Sequence, residues 1–146
     1  MKSYTDIEQS KKLAEILPLE SADYTRLGKN DDNVLTRPYF ESRSSELKGW
    51  IGEDNIFPCW SLAALMNLLP SEFTEVGKFS TTTYKIAIRK YKFTDDVDVY
   101  QIAYGSIKID VDGQTSYKDM INTGEKEDLI DAAFQMICWL KENKKI

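Results

Sequence analysis

Cys59 is the side chain of this sequence whose type and position most suggest chemistry. It stands beside Trp60 at the start of an apolar segment that is predicted to be helical, and a helix N-terminus lowers the pKa of a thiol and favours the nucleophilic thiolate. Thiol catalysis usually needs a histidine partner, and the 146 residues contain no histidine. The sequence therefore favours Cys59 as a small buried apolar side chain over Cys59 as a nucleophile.

Carboxylates are the other groups that could catalyse a reaction without histidine. Asp95, Asp96 and Asp98 cluster before a predicted strand, and Asp110 and Asp112 flank a predicted turn. A glycosidase needs two carboxylates at a set separation, which the sequence does not fix. A histidine-free hydrolase that uses paired carboxylates or Cys59 therefore stays open as one alternative.

No metal or cofactor site is predicted. Asp110, Asp112 and Gly113 match the beginning of a calcium loop, but the glutamate that closes such a loop at its twelfth position is absent. A two-residue hairpin turn explains these residues better. Two cysteines without histidine leave no spacing for a zinc site, and the isolated glycines leave no phosphate loop.

Charge and aromatic residues weigh against direct nucleic-acid binding. The net charge is −5, and the one dense basic cluster is followed at once by aspartates (Lys85, Arg89, Lys90 and Lys92, then Asp95, Asp96 and Asp98). Four tyrosines could form an aromatic platform, but a half-buried sheet face is the favoured interpretation of the same residues (Tyr84, Tyr91, Tyr100 and Tyr104).

The elements that would hold these residues are three helices and an antiparallel sheet. The first helix begins with a capping box of Thr5 and Glu8 and stops at Pro18. A second helix, 58–69, starts at Pro58, and a last helix, 126–143, follows a capping box of Asn122 and Glu125; both are apolar around most of their circumference.

Strand patterns occupy most of the remaining chain. A strand, a polar turn and a second strand are predicted over 22–41, and a loop over 41–55. Period-two alternation then predicts strands over 84–89, 97–104 and 107–111, with a hairpin turn at Asp112 and Gly113. The fold class is therefore α+β: an antiparallel sheet of four to five strands, packed on one face by two apolar helices, with a short N-terminal helix.

Length and composition predict a single globular domain over residues 1–146. The chain is 42% apolar and 29% charged, which is typical of a folded protein. Two cysteines make no disulfide framework, the N-terminus is polar, and no apolar run is long enough to span a bilayer. We therefore expect a cytoplasmic protein that does not enter membranes.

Three segments of this chain resemble a group of small uncharacterised proteins from gut Bacteroidetes and their phages and mobile elements. The segments are 8–18, 56–70 and 128–140, which contain EQSKKLAEILP, IFPCWSLAAL…LLP and DLIDAAFQMICWL. The group has no assigned activity, so the resemblance implies no catalytic residue. It implies a bacterial or phage setting and an accessory role.

We therefore expect a non-catalytic protein-interaction module. The apolar excess of the last helix points to an interface at Met136, Trp139 and Leu140, used by a protein partner or by a second copy in a homodimer. An acidic inhibitor that mimics nucleic acid and occupies a host nuclease is a second alternative beside the hydrolase.

Overall fold

The computed structural model describes residues 2–27, 34–35, 56–78, 81–109 and 112–146. The chain forms two compact units, Met1–Leu68 and Leu69–Ile146. Each unit contains helix and antiparallel strands, so the predicted α+β class is confirmed. The single domain expected over the whole chain stays a prediction.

Helix α1 of the first unit spans Ile7–Ile16, and its capping box lies one residue later than predicted. Asp6 Oδ1 accepts from the backbone N–H of Gln9 at 2.8 Å, and Gln9 Oε1 accepts from the N–H of Asp6 at 3.1 Å. The predicted box of Thr5 and Glu8 is wrong because Thr5 is fully buried in the core of the unit. The cap therefore falls to Asp6, the next residue with a side-chain acceptor.

The first unit also holds a three-stranded antiparallel sheet. Its strands are β1 (Tyr24–Leu27), β2 (Val34–Leu35) and β3 (Ile56–Cys59), in the order β2-β1-β3. The two strands predicted within 22–41 are confirmed by the pairing of β1 with β2. Their connecting turn and the loop predicted over 41–55 lie outside the described residues.

The helix predicted to begin at Pro58 is shorter and starts later. Helix α2 spans Leu62–Leu68, whereas Pro58 lies in β3 and pairs with Thr25. An edge strand such as β3 tolerates proline, because an N–H that faces outward needs no ladder partner. The prediction is wrong because proline suits an edge strand as well as a first helical turn, and a short apolar run does not separate the two.

The second unit is built on a four-stranded antiparallel meander. Its strands are β4 (Glu72–Val76), β5 (Thr81–Thr94), β6 (Val97–Ile109) and β7 (Thr115–Asn122), in the order β4-β5-β6-β7. The meander is confirmed, and Gly113, at φ 79°, lies in the turn predicted between β6 and β7. Two details differ from the prediction. Strand β4 was not expected, and the predicted strand 97–104 and residues 107–109 of the next predicted strand belong to the single strand β6.

Helix α3 spans Leu129–Glu142 and packs on β6. One apolar face of the helix is buried against the unit (Ile130, Ala132, Ala133, Met136, Ile137 and Leu140). The predicted capping box of Asn122 and Glu125 is wrong, because Asn122 ends β7 and the Glu125 carboxylate accepts from a tyrosine of β5. None of the helices in the described ranges combines the length and apolar character that crossing a bilayer requires.

Candidate interaction surface

The four-stranded sheet of the second unit has one face towards α3 and one face on the opposite side. Side chains alternate between the two faces of a sheet, and directly paired residues share a face. Tyr104 pairs with Ile121, and Ile121 lines a groove together with Met136 and Trp139 of α3. The neighbouring β6 residues Gln101, Ala103 and Gly105 therefore lie on the opposite side, which we call the open face.

Small residues form the floor of the open face. Ala87 pairs with Ala103, and Lys85 pairs with Gly105 on the same side of the sheet. A Cβ at Gly105 would lie 2.5 Å from Tyr117 Cζ and 2.5 Å from the Lys118 carbonyl oxygen. The absence of a side chain at this position therefore lets the Tyr117 ring lie close over the sheet.

Arg89 and Asp119 form a bidentate ion pair on the open face. Arg89 Nη1 donates to Asp119 Oδ2 at 2.9 Å, and Nη2 donates to Oδ1 at 2.7 Å. The hydrogen bonds from Arg89 hold the pKa of the Asp119 carboxyl below its usual value. The guanidinium also lies 5.4 Å from the centre of the Tyr117 ring, which is the geometry of a cation–π contact.

A hydrogen-bonded chain extends from this ion pair across three strands. Asn122 Nδ2 donates to Asp119 Oδ2 at 3.0 Å and to Gln101 Oε1 at 3.2 Å. Gln101 Nε2 donates to the Tyr91 hydroxyl at 2.6 Å, and that hydroxyl donates to Glu125 Oε1 at 2.8 Å. The orientation of each polar side chain is therefore fixed by a neighbour on the next strand.

The same groups are accessible from outside the chain. Tyr117 is 40% exposed, Tyr91 37% and Ile107, which pairs with Tyr117, 59%. The Arg89 side chain keeps 34% of its surface exposed. The open face thus presents phenol, guanidinium, carboxylate and amide groups in fixed positions, an arrangement suited to binding.

The three residues predicted to form an interface on the last helix occupy different environments. Met136 and Leu140 are fully buried within the chain. Trp139 is half-buried and borders a shallow groove of about 290 Å³, which also contains Gln135 and Cys138. The interface at these residues stays a prediction, and Trp139 is the member with surface available to a partner.

Cys59 lies in the interior of the first unit, as the sequence predicts. Its side chain is fully buried, and Sγ is 3.7 Å from Thr5 Oγ1 and 3.9 Å from Arg26 Nη2. Burial raises the pKa of the Cys59 thiol. The neutral thiol is therefore favoured, which is the opposite of what a nucleophilic cysteine needs.

The four tyrosines considered as a platform do not share a face. Tyr91 lies on the open face, whereas Tyr84, Tyr100 and Tyr104 alternate onto the other side. Tyr100 and Tyr104 are buried, and the Tyr104 hydroxyl donates to the Pro70 carbonyl oxygen at 2.5 Å. The half-buried sheet face favoured by the sequence is the better description of these three.

Among the aspartates singled out by the sequence, Asp98 is paired with two lysines. Asp98 lies 3.3 Å from Lys90 Nζ and 3.1 Å from Lys92 Nζ, and hydrogen bonds from both lysines lower the pKa of its carboxyl. Asp110 lies outside the described residues. Within the described ranges, no group of three or more histidine, cysteine, aspartate or glutamate side chains is placed to hold a metal ion.

Comparisons of the chain with protein-family models, with curated proteins and with solved structures gave no match.

Most residues of the open face were not singled out by their sequence. The sequence places Arg89 in a basic cluster, Tyr91 in a tyrosine set and Asn122 in a predicted capping box, whereas Asp119 and Tyr117 match no functional motif. The available signal is alternation, which places Arg89 with Tyr91 on one side of β5 and Tyr117 with Asp119 on one side of β7. The pairing between strands, which brings the two sets together, is not readable from alternation alone.

Proposed function

We propose that this chain is a non-catalytic protein-interaction module and that the open face of its four-stranded sheet is the binding surface. The observation that carries the proposal is the exposed set of Tyr117, Arg89 and Tyr91, in which hydrogen bonds hold Arg89 and Tyr91 in place and the Arg89 guanidinium lies against the Tyr117 ring. The bacterial mobile-element or phage setting of the module rests on the sequence resemblance alone.

The residue types of the open face are those that dominate binding energy in protein interfaces. Tyrosine and arginine are enriched among hot-spot residues, because they combine a large contact area with hydrogen-bonding groups. Binding also costs free energy when side chains lose their freedom. Arg89 and Tyr91 are already held by neighbours on other strands, so this cost is largely met before a partner arrives.

The hydrolase alternative receives less support from the same structure. A general acid needs a carboxyl whose pKa is raised towards the working pH. Hydrogen bonds from Arg89 and from Lys92 and Lys90 lower the pKa values of Asp119 and Asp98 instead. Cys59 is buried with a raised pKa, so neither this thiol nor these two carboxyls is prepared for catalysis.

The nucleic-acid-mimic alternative also receives less support from the described residues. A mimic needs carboxylates arrayed over one surface so that they imitate a row of phosphates. On the described sheet, Asp119 is paired with Arg89, and Asp98 with two lysines. Paired charges of this kind present little net negative potential.

Site-specific photo-crosslinking tests the proposal. A photoreactive amino acid replaces Ile107, which is exposed beside Tyr117, and in a matched variant it replaces Gln135, which is exposed on α3. We expect a specific crosslinked partner from the Ile107 position in cells of the native host, and direct binding of that partner when both proteins are purified.

The two positions separate the open face from the predicted helix interface. A partner that is captured only from the Gln135 position would move the interface to α3 and would contradict the open-face proposal. Crosslinking of the chain to itself from the Ile107 position would instead identify the homodimer as the complex that uses this face.

A further inference from the structure

Strand β5 is much longer than the strand that covers its outer edge. Five residues of β4 pair with Thr81–Lys85, and the N–H of Ile86 donates to the Ser71 carbonyl oxygen at 3.0 Å. From Ala87 onward, no described strand pairs with β5 on the side away from β6. Because β5 and β6 stay in regular register as far as Lys92, this stretch of β5 is a straight edge among the strands that the structure describes.

The backbone groups along this edge point outward. Successive residues of a strand direct their N–H and C=O groups to opposite edges. Since the N–H of Ile86 points away from β6, the N–H and C=O groups of Ile88, Lys90 and Lys92 point the same way. An edge of this kind is a template on which an extended segment can add as a further strand.

The side chains beside the edge define which segment fits. Lys90 and Lys92 stand on the face towards α3, where their side chains are 58% and 66% exposed and share a single aspartate, Asp98. Tyr91 stands on the open face, and Phe93, 67% exposed, follows it. An incoming strand would therefore place acidic side chains beside the two lysines and apolar side chains beside the aromatic residues.

We propose that the outer edge of β5, from Ala87 to Lys92, binds an extended partner segment in which acidic and apolar residues alternate. The inference rests on the proposed interaction function and gives it a mode of binding, which is strand addition. Charge argues against a second copy of this chain that pairs in register at Lys90. Antiparallel pairing of two copies centred on Lys90 would set Lys90 opposite its own copy, and like charges directly opposite are destabilising.

Binding of synthetic peptides to the full chain tests this inference. One strand-length peptide alternates valine with glutamate, and its counterpart alternates valine with lysine. We expect the acidic peptide to bind about tenfold more tightly than the basic one, with a preference that weakens as salt is added. Backbone amide shifts should concentrate on residues 87–93 in an NMR titration.

Three variants distinguish strand addition from other modes of binding. Lys90→Pro removes an outward N–H without removing a ladder bond and should abolish binding of both peptides. Lys90→Glu combined with Lys92→Glu keeps the backbone donors and should reverse the charge preference. Ser116→Ala changes an exposed side chain of β7, which is separated from β5 by β6, and should leave binding of the acidic peptide unchanged.

Equal binding of both peptides, or amide shifts that leave 87–93 unaffected, would overturn the inference. Circular dichroism checks that each variant keeps its fold. If Lys90→Pro does not fold, the Lys90→Glu and Lys92→Glu double variant provides the test. Since the crosslinking experiment at Ile107 does not depend on these peptides, a failure here leaves the open-face proposal to be judged separately.

Discussion

Replacing Gly105 by alanine is expected to destabilise the second unit and to move Tyr117 away from the sheet. The new Cβ would lie 2.5 Å from both Tyr117 Cζ and the Lys118 carbonyl oxygen, whereas ordinary van der Waals contact begins at 3.4 Å. The ring can swing aside by about 1 Å, but the carbonyl moves only with the backbone of β7. Overpacking typically costs about 1–3 kcal/mol, and the backbone contact points to the upper half of that range.

Urea unfolding followed by circular dichroism measures this cost, and a second background divides it into two parts. In a Tyr117→Ala background the ring is absent, so Gly105→Ala should lower the free energy of unfolding by a smaller amount than it does in the unmodified chain. The difference between the two losses measures the clash with the ring, and the loss that remains measures the clash with the Lys118 carbonyl. A change in unfolding free energy below about 0.5 kcal/mol for Gly105→Ala, with unchanged NMR shifts for Tyr117, would refute the close approach.

The remaining predictions concern an ion pair, a thiol and a helix cap. Because the pKa of Asp119 is lowered in the folded chain, its ionised carboxylate adds stability above the unfolded-state pKa, near 4. This stability is lost as the pH falls through the lower folded-state pKa. Asp119→Asn should remove this part of the acid dependence when unfolding is measured from pH 6 to pH 2. Buried Cys59 should react with a thiol reagent more slowly than half-buried Cys138 in the native chain, and equal rates before urea is added would contradict its burial. Asp6→Ala should cost about 1 kcal/mol of stability through loss of the cap, whereas Lys2→Ala, which removes the ion pair with Asp6 and leaves the cap in place, should cost less than half as much in the same thermal melts.

The features that the sequence predicted correctly are those that depend on local patterns. Period-two alternation located the strands of the meander, and Asp112 with Gly113 located the turn between β6 and β7. Pro18 marked the end of α1, which stops at Ile16. In each case, a few neighbouring residues decide the local structure without help from distant parts of the chain.

The grouping of Arg89 with Asp119 on the open face was missed because it depends on a bulge. Tyr104 pairs with Ile121 but Gly105 pairs with Asp119, so Met120 is an extra residue in β7. In a regular ladder, Asp119 would pair with Ser106 and would face α3. A shift of one residue exchanges the two faces of a strand, and the alternation of a short polar strand does not reveal such a shift.

The apolar character of the last helix was visible, but what covers it was not. Met136 and Leu140 are covered by the chain itself, while Trp139 stays half-buried. A helix face that is buried by its own chain and one that is buried by a partner both consist of apolar residues, so the sequence does not distinguish the two cases. The same ambiguity affected Pro58, whose apolar neighbours suit an edge strand and a helix equally well.

The affinity of the purified partner for matched alanine variants tests the central claim most directly. Tyr117 and Trp139 are both partly exposed aromatic residues of the second unit, and they lie on opposite sides of the four-stranded sheet. If the open face binds the partner, Tyr117→Ala should weaken binding by about thirtyfold, as expected for a hot-spot residue, and Trp139→Ala should leave the Kd within about twofold of the unmodified chain. Unchanged affinity for Tyr117→Ala, together with lost affinity for Trp139→Ala, would contradict the account.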